Sequence, residues 1–307
     1  ALDAGYTLSS ALIESPRAYA TGAQTAGDAE IWTPKNYGDK MMGKVSLRTA
    51  LVKSLNLSTI GLCEELTPKQ VILYSRRFGI TADMMENLTT CLGSLSTTLQ
   101  EMISAYGVFA NKGRLVKPLY VLRVEDQAGN ILEYNEPEYK QVTSEETAFL
   151  LSNVLQDVVQ RGTGRRARAL GRPSAGKTGT TQDNKDGWFV GITPKLVTVT
   201  WVGNDDQRIG FSNTGIGQGA NSALPIFGEF MQELHRDEDF NSITQAKFET
   251  PDNEVLNDLD CELSKEDGFF KKLFGGEKDK KEFKKEKKKK GGIFSFLKGK
   301  KMKTTNN

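Results

Sequence analysis

A lysine and a row of hydroxyl side chains interrupt a predicted β-strand in the second half of the sequence, where residues 174–180 read Ser-Ala-Gly-Lys-Thr-Gly-Thr. Small residues on an edge strand let another backbone approach closely, so an extended peptide can add through main-chain hydrogen bonds. Lys177 would then offer a charge to a carboxylate, and Thr178 and Thr180, on either side of Gly179, would offer hydroxyl donors. Taken alone, the pattern favours a plainer interpretation, an exposed edge strand that lysine protects against aggregation.

A second candidate group is Ser54-Leu55-Asn56, at a predicted break between two helices. A helix-end loop can direct a hydroxyl and an amide side by side into a cleft. Ser54 could there relay a proton and Asn56 could hold a substrate amide. Considered separately, Ser and Asn are also ordinary helix-terminus residues.

The composition argues against several kinds of catalytic centre. The single histidine, His235, lies near the end of a predicted amphipathic helix, which is a poor place for a Ser-His-Asp triad or a histidine-rich metal site. Cys63, Cys91 and Cys261 show no Cys-x-x-Cys spacing, so we expect neither a zinc site nor a disulfide framework. The sequence leaves open whether Cys63 and Cys91 form a single disulfide in an oxidising compartment. We expect no metal and no cofactor.

The elements that would position these residues are of mixed type. Residues 7–43 are rich in Thr, Ser, Gly and Pro with little periodicity, which predicts a long ordered loop region. Apolar periodicity and capping residues predict helices starting at Ser46, Thr67, Thr98, Thr143 or Ser144, and Leu224. A strand–turn–strand over 119–134 and the strands 175–181, 187–193 and 196–203 complete the pattern, with a tight hairpin at Pro194-Lys195 between the last two. This order predicts an α+β fold with a five-stranded antiparallel sheet flanked by helices.

The charge changes sharply along the chain. The formal net charge is +2, but residues 265–307 carry 16 Lys against 6 Asp and Glu, whereas residues 1–264 carry 25 Lys and Arg against 33 Asp and Glu. A lysine run of this kind cannot bury a core. We therefore expect a folded domain over residues 1–250 and a disordered Lys-rich tail over residues 251–307.

The two candidate groups together resemble the motifs of the penicillin-binding proteins, in which Ser-x-Asn at a helix break and Lys-Thr-Gly on a strand form part of one site. The similarity extends over about residues 1–236 and includes "WTPKNYGDKMMGKVSLRTALVKSLN", "RGTGRRARALGRPSAGKTGTT" and "GWFVGITP". The sequence looks most like the transpeptidase domain of the bifunctional class A group. No stretch of it predicts a membrane span.

The resemblance implies a peptidoglycan D,D-transpeptidase that cross-links stem peptides through a serine acyl-enzyme and binds β-lactams. It assigns proton transfer to Ser54, the substrate amide to Asn56, and the terminal carboxylate to Lys177, Thr178, Gly179 and Thr180. It also implies a periplasmic location, an upstream glycosyltransferase domain and an N-terminal membrane anchor.

The family's nucleophile lies in a Ser-x-x-Lys motif, which is expected to precede Ala1. Of the two such spacings in the sequence, Ser174–Lys177 places the side chains on opposite faces of a strand, and Ser295–Lys298 lies in the Lys-rich tail. We therefore expect a fragment that is inactive alone.

Two alternatives to the transpeptidase remain. A D,D-carboxypeptidase or serine β-lactamase-like hydrolase would use water in place of the acceptor amine, and a non-catalytic module would bind peptidoglycan or β-lactams without turnover. The arginines of 161–172 suggest a nucleic-acid patch, but the acidic balance of residues 1–264 and the family resemblance favour a solvated loop. Phe and Leu among the lysines of the tail suit weak contact with an anionic membrane surface or polymer, although a plain solubilising tail is the simpler interpretation.

Overall fold

The computed structural model describes residues 1–25, 28–206, 208–249 and 259. Contacts divide the chain into Ala1–Glu262 and Leu263–Asn307, and everything described belongs to the first unit. The predicted tail, apart from Leu259, lies outside the described residues. Within the described part, no helix has both the length and the apolar character needed to cross a bilayer.

The elements alternate between helices and short strands. The helices are α1 (Leu47–Lys53), α2 (Asn56–Leu66), α3 (Pro68–Arg77), α4 (Leu99–Ala110), α5 (Glu145–Arg161), α6 (Thr214–Gly217), α7 (Ala223–Arg236) and α8 (Asn241–Thr244). The strands are β1 (Ala11–Ile13), β2 (Tyr19–Thr25), β3 (Asp28–Trp32), β4 (Lys44–Ser46), β5 (Arg114–Val116), β6 (Arg123–Glu125), β7 (Ile131–Tyr134), β8 (Tyr139–Gln141), β9 (Ala175–Thr180), β10 (Gly187–Thr193) and β11 (Leu196–Val202).

Helix starts follow the capping residues. The Ser46 side chain accepts a hydrogen bond from the backbone N–H of Thr49 at the start of α1, and Ser144 does the same for Thr147 at the start of α5. Thr98 and Glu101 form a reciprocal capping box at the start of α4. Pro68 begins α3, where its missing N–H costs no helical hydrogen bond.

The central sheet is antiparallel, with the order β11-β10-β9. Leu196 of β11 faces Thr193 of β10 across the tight hairpin predicted at Pro194-Lys195. Residues of β10 alternate between the two faces of the sheet. Val190 and Ile192 join a core cluster with α1 and α5, whereas Phe189 joins a second cluster with Phe227 of α7. Helices thus cover both faces of the sheet.

The α+β class predicted from the sequence is confirmed, but the predicted five-stranded sheet is not complete in the described residues. The central sheet has three strands there, and the predicted hairpin of β6 and β7 forms a two-stranded sheet of its own. Every residue of β6 and β7 is exposed. These strands therefore have no buried face that would pack them on the core.

The region 7–43, predicted as an ordered loop, contains regular strands. It contains β1, which pairs with β4, and the hairpin of β2 and β3. A disulfide joins Cys63 of α2 to Cys91, with 6.3 Å between their Cα atoms. The pair that the sequence left open is therefore present and ties α2 to the short helical turn Thr90–Leu92.

Candidate active site

The strand β9 lies at the edge of the three-stranded sheet, paired with β10 on one side. Lys177 faces Val190 and Thr178 faces Phe189 in the antiparallel register. Glycine at 176 fits this arrangement, since a Cβ there would lie 2.7 Å from the Phe189 ring. The small residues of β9 thus leave room for the packed aromatic on the neighbouring strand.

Lys177 and Ser54 meet in space. Lys177 Nζ donates a hydrogen bond of 2.8 Å to Ser54 Oγ and another of 2.8 Å to the carbonyl oxygen of Thr178. Burial disfavours the charged amine and lowers the pKa of Lys177 to about 8. The amine therefore gains or loses its proton near pH 8, and two oxygen acceptors fix its position.

The position of Ser54 depends on an unusual backbone conformation. Ser54 ends α1 with φ 55° and ψ 53°, in the left-handed region that non-glycine residues rarely occupy. This conformation turns the chain from α1 into α2, which begins at Asn56. The helix break predicted from the sequence is confirmed, and it directs the Ser54 hydroxyl towards β9.

Asn56 is fixed by a loop that precedes α1 in the chain. Its side-chain Nδ2 donates a hydrogen bond of 2.8 Å to the carbonyl oxygen of Lys35. This bond sets the orientation of the amide, because Nδ2 can only donate and Oδ1 can only accept. The role of Asn56 towards a substrate stays a prediction.

The hydroxyl groups of β9 have protein partners that the sequence did not indicate. Thr178 Oγ1 lies 2.7 Å from Thr163 Oγ1, and Thr180 Oγ1 accepts a hydrogen bond of 3.1 Å from the backbone N–H of Gly219. Thr163 belongs to the Gly-Thr-Gly turn after α5, in the segment predicted to be a solvated loop. The glycines on either side of Thr163 are the sequence feature that could have indicated its contact with β9.

The loop that carries Gly219 covers one end of the strand pair. A Cβ on Gly219 would overlap with the carbonyl oxygens of Gly179 and Trp188, so glycine is required for this close approach. Gly179 thus contributes backbone rather than a side chain to the site. The loop between α6 and α7 forms one wall beside Thr180.

His235 and Ser174, which the sequence excluded as base and as nucleophile, take no part in the hydrogen bonds described above. His235 is in the last turn of α7, as predicted, and burial together with Arg172 lowers its pKa. Ser174 is buried just before β9, and its Oγ has no hydrogen-bond partner in the described part of the chain. No group of three or more His, Cys, Asp and Glu side chains suitable for a metal ion occurs among the described residues.

The structure therefore brings the Lys177 amine, with its lowered pKa, to the Ser54 hydroxyl at strand β9, which also carries the hydroxyls of Thr178 and Thr180. The amide of Asn56, two positions after Ser54 in the chain, is oriented by Lys35. An amine and hydroxyls in this arrangement can bind a carboxylate and transfer protons. Such a set suits acyl transfer on a peptide that ends in a carboxylate.

Comparisons with known proteins show which family the chain resembles. The penicillin-binding protein 1A of Rickettsia bellii is 34% identical over 253 residues, covering 75% of this chain and 31% of that protein. The penicillin-binding protein 1A of Aquifex aeolicus is 36% identical over 234 residues, covering 74% of this chain and 30% of that protein. The chain thus spans about 30% of the length of these curated relatives.

A solved structure of penicillin-binding protein 1A from Haemophilus influenzae superposes with a TM-score of 0.70 at 26% identity, covering 80% of this chain and 41% of that one. The family model described as "Penicillin binding protein transpeptidase domain" matches residues 1–232. The chain belongs to the penicillin-binding protein transpeptidase domain family.

Proposed function

We propose that this chain forms part of a peptidoglycan D,D-transpeptidase site that binds D-Ala-D-Ala stem peptides and β-lactams. The observation that carries the proposal is the hydrogen bond of 2.8 Å from Lys177 Nζ to Ser54 Oγ. It connects the edge strand β9 with the α1–α2 break, the two segments that were singled out separately in the sequence. A terminal carboxylate would lie along β9 beside Lys177, Thr178 and Thr180, with Asn56 holding the substrate amide.

The proposed reaction proceeds in two steps. A serine hydroxyl attacks the carbonyl carbon between the two D-Ala residues, the C–N bond breaks, and the terminal D-Ala leaves with the proton. An acceptor amine from a second stem peptide then attacks the resulting ester, and the serine regains its proton as the new amide forms. In this proposal Ser54, supported by Lys177, passes the proton to the leaving amine.

We infer that these 307 residues alone bind ligand without being acylated. Ser174 lies three positions from Lys177 at the start of an extended strand, so the two side chains point to opposite faces. The other spacing, Ser295–Lys298, lies outside the described residues. Neither pair is proposed to supply the nucleophile.

Ligand titration tests the proposal. We expect an N-acyl-D-Ala-D-Ala peptide to bind the chain reversibly, followed by NMR or calorimetry, and Lys177→Ala to weaken binding at least tenfold, as expected for a charge-assisted hydrogen bond. Lys195→Ala is the matched control, because Lys195 is exposed at the β10–β11 turn. Equal affinity in the wild type and Lys177→Ala would contradict the groove assignment.

Binding without turnover is the second candidate function, favoured by the geometry of Ser174 and Lys177. A fluorescent penicillin separates the two. Labelling of a longer gene product but not of the 307 residues supports the transpeptidase, and product analysis then distinguishes a cross-linked dimer from the free D-Ala of a hydrolase. If a longer product that carries a Ser-x-x-Lys helix is not labelled either, the binding module is favoured.

We further propose that the complete protein has an upstream glycosyltransferase domain and a membrane anchor and acts in the periplasm, since an alignment over 75% of this chain covers only 31% of a curated relative. Residues 265–307 would add weak contact with an anionic membrane surface through 16 lysines and the phenylalanines among them. Co-sedimentation with phosphatidylglycerol vesicles but not with phosphatidylcholine vesicles is expected, and equal sedimentation with both would contradict it.

A further inference from the structure

A buried carboxylate contacts the first turn of α2, the helix that begins at Asn56. Glu14 follows β1 and is only 6% exposed. Its Oε1 accepts hydrogen bonds from Asn36 Nδ2 at 2.8 Å and from Ser58 Oγ at 3.2 Å. Its Oε2 accepts a hydrogen bond of 2.6 Å from the backbone N–H of Met42. Buried ionisable groups are rare unless their oxygens are satisfied in this way.

The partners of Glu14 lie on two segments that meet at the site. Asn36 and Met42 belong to the loop between β3 and β4, and Ser58 lies in the first turn of α2. Asn36 Oδ1 accepts a hydrogen bond of 3.1 Å from the backbone N–H of Leu57. The residue before α2, Leu55, has no capping side chain, so Asn36 satisfies one of the free N–H groups of α2 from a distance. Glu14 thus holds the loop and the helix to each other.

Asn56 receives its orientation from the same loop. Its Nδ2 donates to the carbonyl oxygen of Lys35, the neighbour of Asn36 in the chain. Because Lys35 is bonded directly to Asn36 in the chain, a displacement of Asn36 would move this acceptor, and we expect the Asn56 amide to rotate with it. The connection runs from Glu14 through Asn36 and the Lys35 peptide to Asn56, over hydrogen bonds of 2.8 Å at each end.

We propose that Glu14 is a positioning residue for Asn56, acting through Asn36 and the Lys35 carbonyl. Only its effect on ligand binding rests on the proposed function; the effect on the Asn56 side chain does not. Both Glu14 oxygens accept hydrogen bonds from donors. A glutamine there would present an N–H₂ group to a donor on one side, and the loop would have to move.

The first experiment measures the Asn56 side chain directly. In ¹⁵N-labelled protein without ligand, the Nδ2 resonances of Asn56, assigned with Asn56→Gln, are expected to shift in Glu14→Gln and to stay unchanged in Glu86→Gln. Glu86 is an exposed carboxylate and serves as the matched control. Unchanged Asn56 resonances in folded Glu14→Gln overturn the proposal whatever the function of the chain.

The second experiment uses two ligands that differ in the group Asn56 would hold. Benzylpenicillin carries a side-chain amide, whereas 6-aminopenicillanic acid has a free amine in its place. Glu14→Gln should weaken reversible binding of benzylpenicillin about tenfold, the effect of one lost hydrogen bond. It should change binding of 6-aminopenicillanic acid less than about threefold. A purely structural role would weaken both ligands equally, and that result would overturn the proposal.

Lys177→Ala keeps the two proposals apart, because it should weaken both ligands alike. If the wild-type chain binds neither ligand, the proposed function fails and the Asn56 resonances still decide the role of Glu14.

A reciprocal exchange covers the case in which Glu14→Gln does not fold. In the double variant Glu14→Gln/Asn36→Asp, the side-chain amide donates from position 14 to a carboxylate at position 36. Met42 and Leu57 keep their acceptors, whereas Ser58 Oγ, which donates to Glu14 at 3.2 Å in the wild type, has to accept from the glutamine amide instead. The bond from position 36 to the Lys40 carbonyl, 2.9 Å in the wild type, is lost. We expect the exchange to restore folding and to return the Asn56 Nδ2 resonances most of the way to their wild-type chemical shifts. A double variant no better than Glu14→Gln alone would overturn the proposal.

Discussion

Lys177 Nζ donates a hydrogen bond of 2.8 Å to Ser54 Oγ, although 123 positions separate the two residues in the chain. The contact brings an edge strand of the central sheet against the turn between two helices. Both side chains are partly buried, so the bond is made in surroundings where it is stronger than in water. It connects the two groups of polar residues on which the proposed function depends.

Ligand affinity should fall as pH rises through about 8. Burial holds the pKa of Lys177 at about 8, below its usual 10.5, so the amine loses its charge in this range. Affinity for an N-acyl-D-Ala-D-Ala peptide, measured by calorimetry, is expected to drop about tenfold between pH 7 and pH 9.5. Lys177→Gln should bind weakly and equally at all these pH values, and a parallel fall in that variant would assign the effect to another group.

Stability should change with pH in the opposite direction. The folded protein releases the Lys177 proton near pH 8, whereas the unfolded chain keeps it to about 10.5. The unfolded state binds more protons between these values, so the free energy of unfolding contributed by this group rises with pH. Denaturant titrations at pH 7 and pH 10 should show a smaller rise for Lys177→Gln than for the wild type. An identical change in both proteins would contradict the shifted pKa.

Two substitutions of Ser54 should separate its backbone from its hydroxyl. Ser54→Ala and Ser54→Gly both remove the acceptor for Lys177, so both should bind the peptide more weakly than the wild type. Glycine adopts φ 55° without steric cost, and Ser54→Gly should therefore be about 1 kcal/mol more stable than Ser54→Ala. Chemical denaturation measures the difference. Equal stability of the two variants would show that the left-handed turn carries no strain.

Gly219 and Gly228 should respond oppositely to alanine. A methyl group on Gly219 would overlap with the backbone of Gly179 and Trp188, and Gly219→Ala should cost about 1–3 kcal/mol and weaken ligand binding. Gly228 lies inside α7 with nothing within 4 Å of its Cβ position, and Gly228→Ala should add about 0.5–1 kcal/mol. Thermal unfolding tests both. A stabilised Gly219→Ala would mean that the loop does not lie against β9.

The Cys63–Cys91 disulfide should stabilise the domain substantially. It closes a loop with a sequence separation of 28, for which chain entropy gives about 3–4 kcal/mol. The double variant Cys63→Ser/Cys91→Ser should unfold at correspondingly lower denaturant concentration. Reductant should shift the wild type towards this value and leave the double variant unchanged. A wild type insensitive to reductant after full reduction of its thiols would contradict the prediction.

Local sequence patterns were sufficient for much of the fold. The helix start at Thr143 or Ser144, the hairpin turn at Pro194-Lys195 and the break at Ser54 each depend on residues close together in the chain, and each was predicted from them. Between the two cap residues that the sequence left open, the structure selects Ser144. The family resemblance then connected Ser54 with Lys177. Neither local pattern alone favoured a site over an ordinary strand edge or helix end.

Contacts between distant segments could not be read in this way. The bond from Thr163 to Thr178 and the Glu14–Asn36 pair join segments that no local sequence pattern relates to each other. Strands β2 and β3 lack clear alternation, and their pairing has a register shift between Ala20 and Gln24. Strands β6 and β7 were predicted to complete the five-stranded sheet, but they pair with each other instead. All their residues are exposed, so neither strand has a buried face that would pack on the core.

The β6–β7 hairpin is a suitable place to attach a label to this domain. Its turn is closed locally, with Asp126 Oδ1 accepting from the backbone N–H groups of Ala128 and Asn130, each at 2.8 Å. A tip held by its own hydrogen bonds and surrounded by solvent can take up extra residues with little disturbance elsewhere. A reporter peptide or fluorophore attached between Ala128 and Asn130 would therefore travel with the domain while leaving Ser54 and Lys177 as they are.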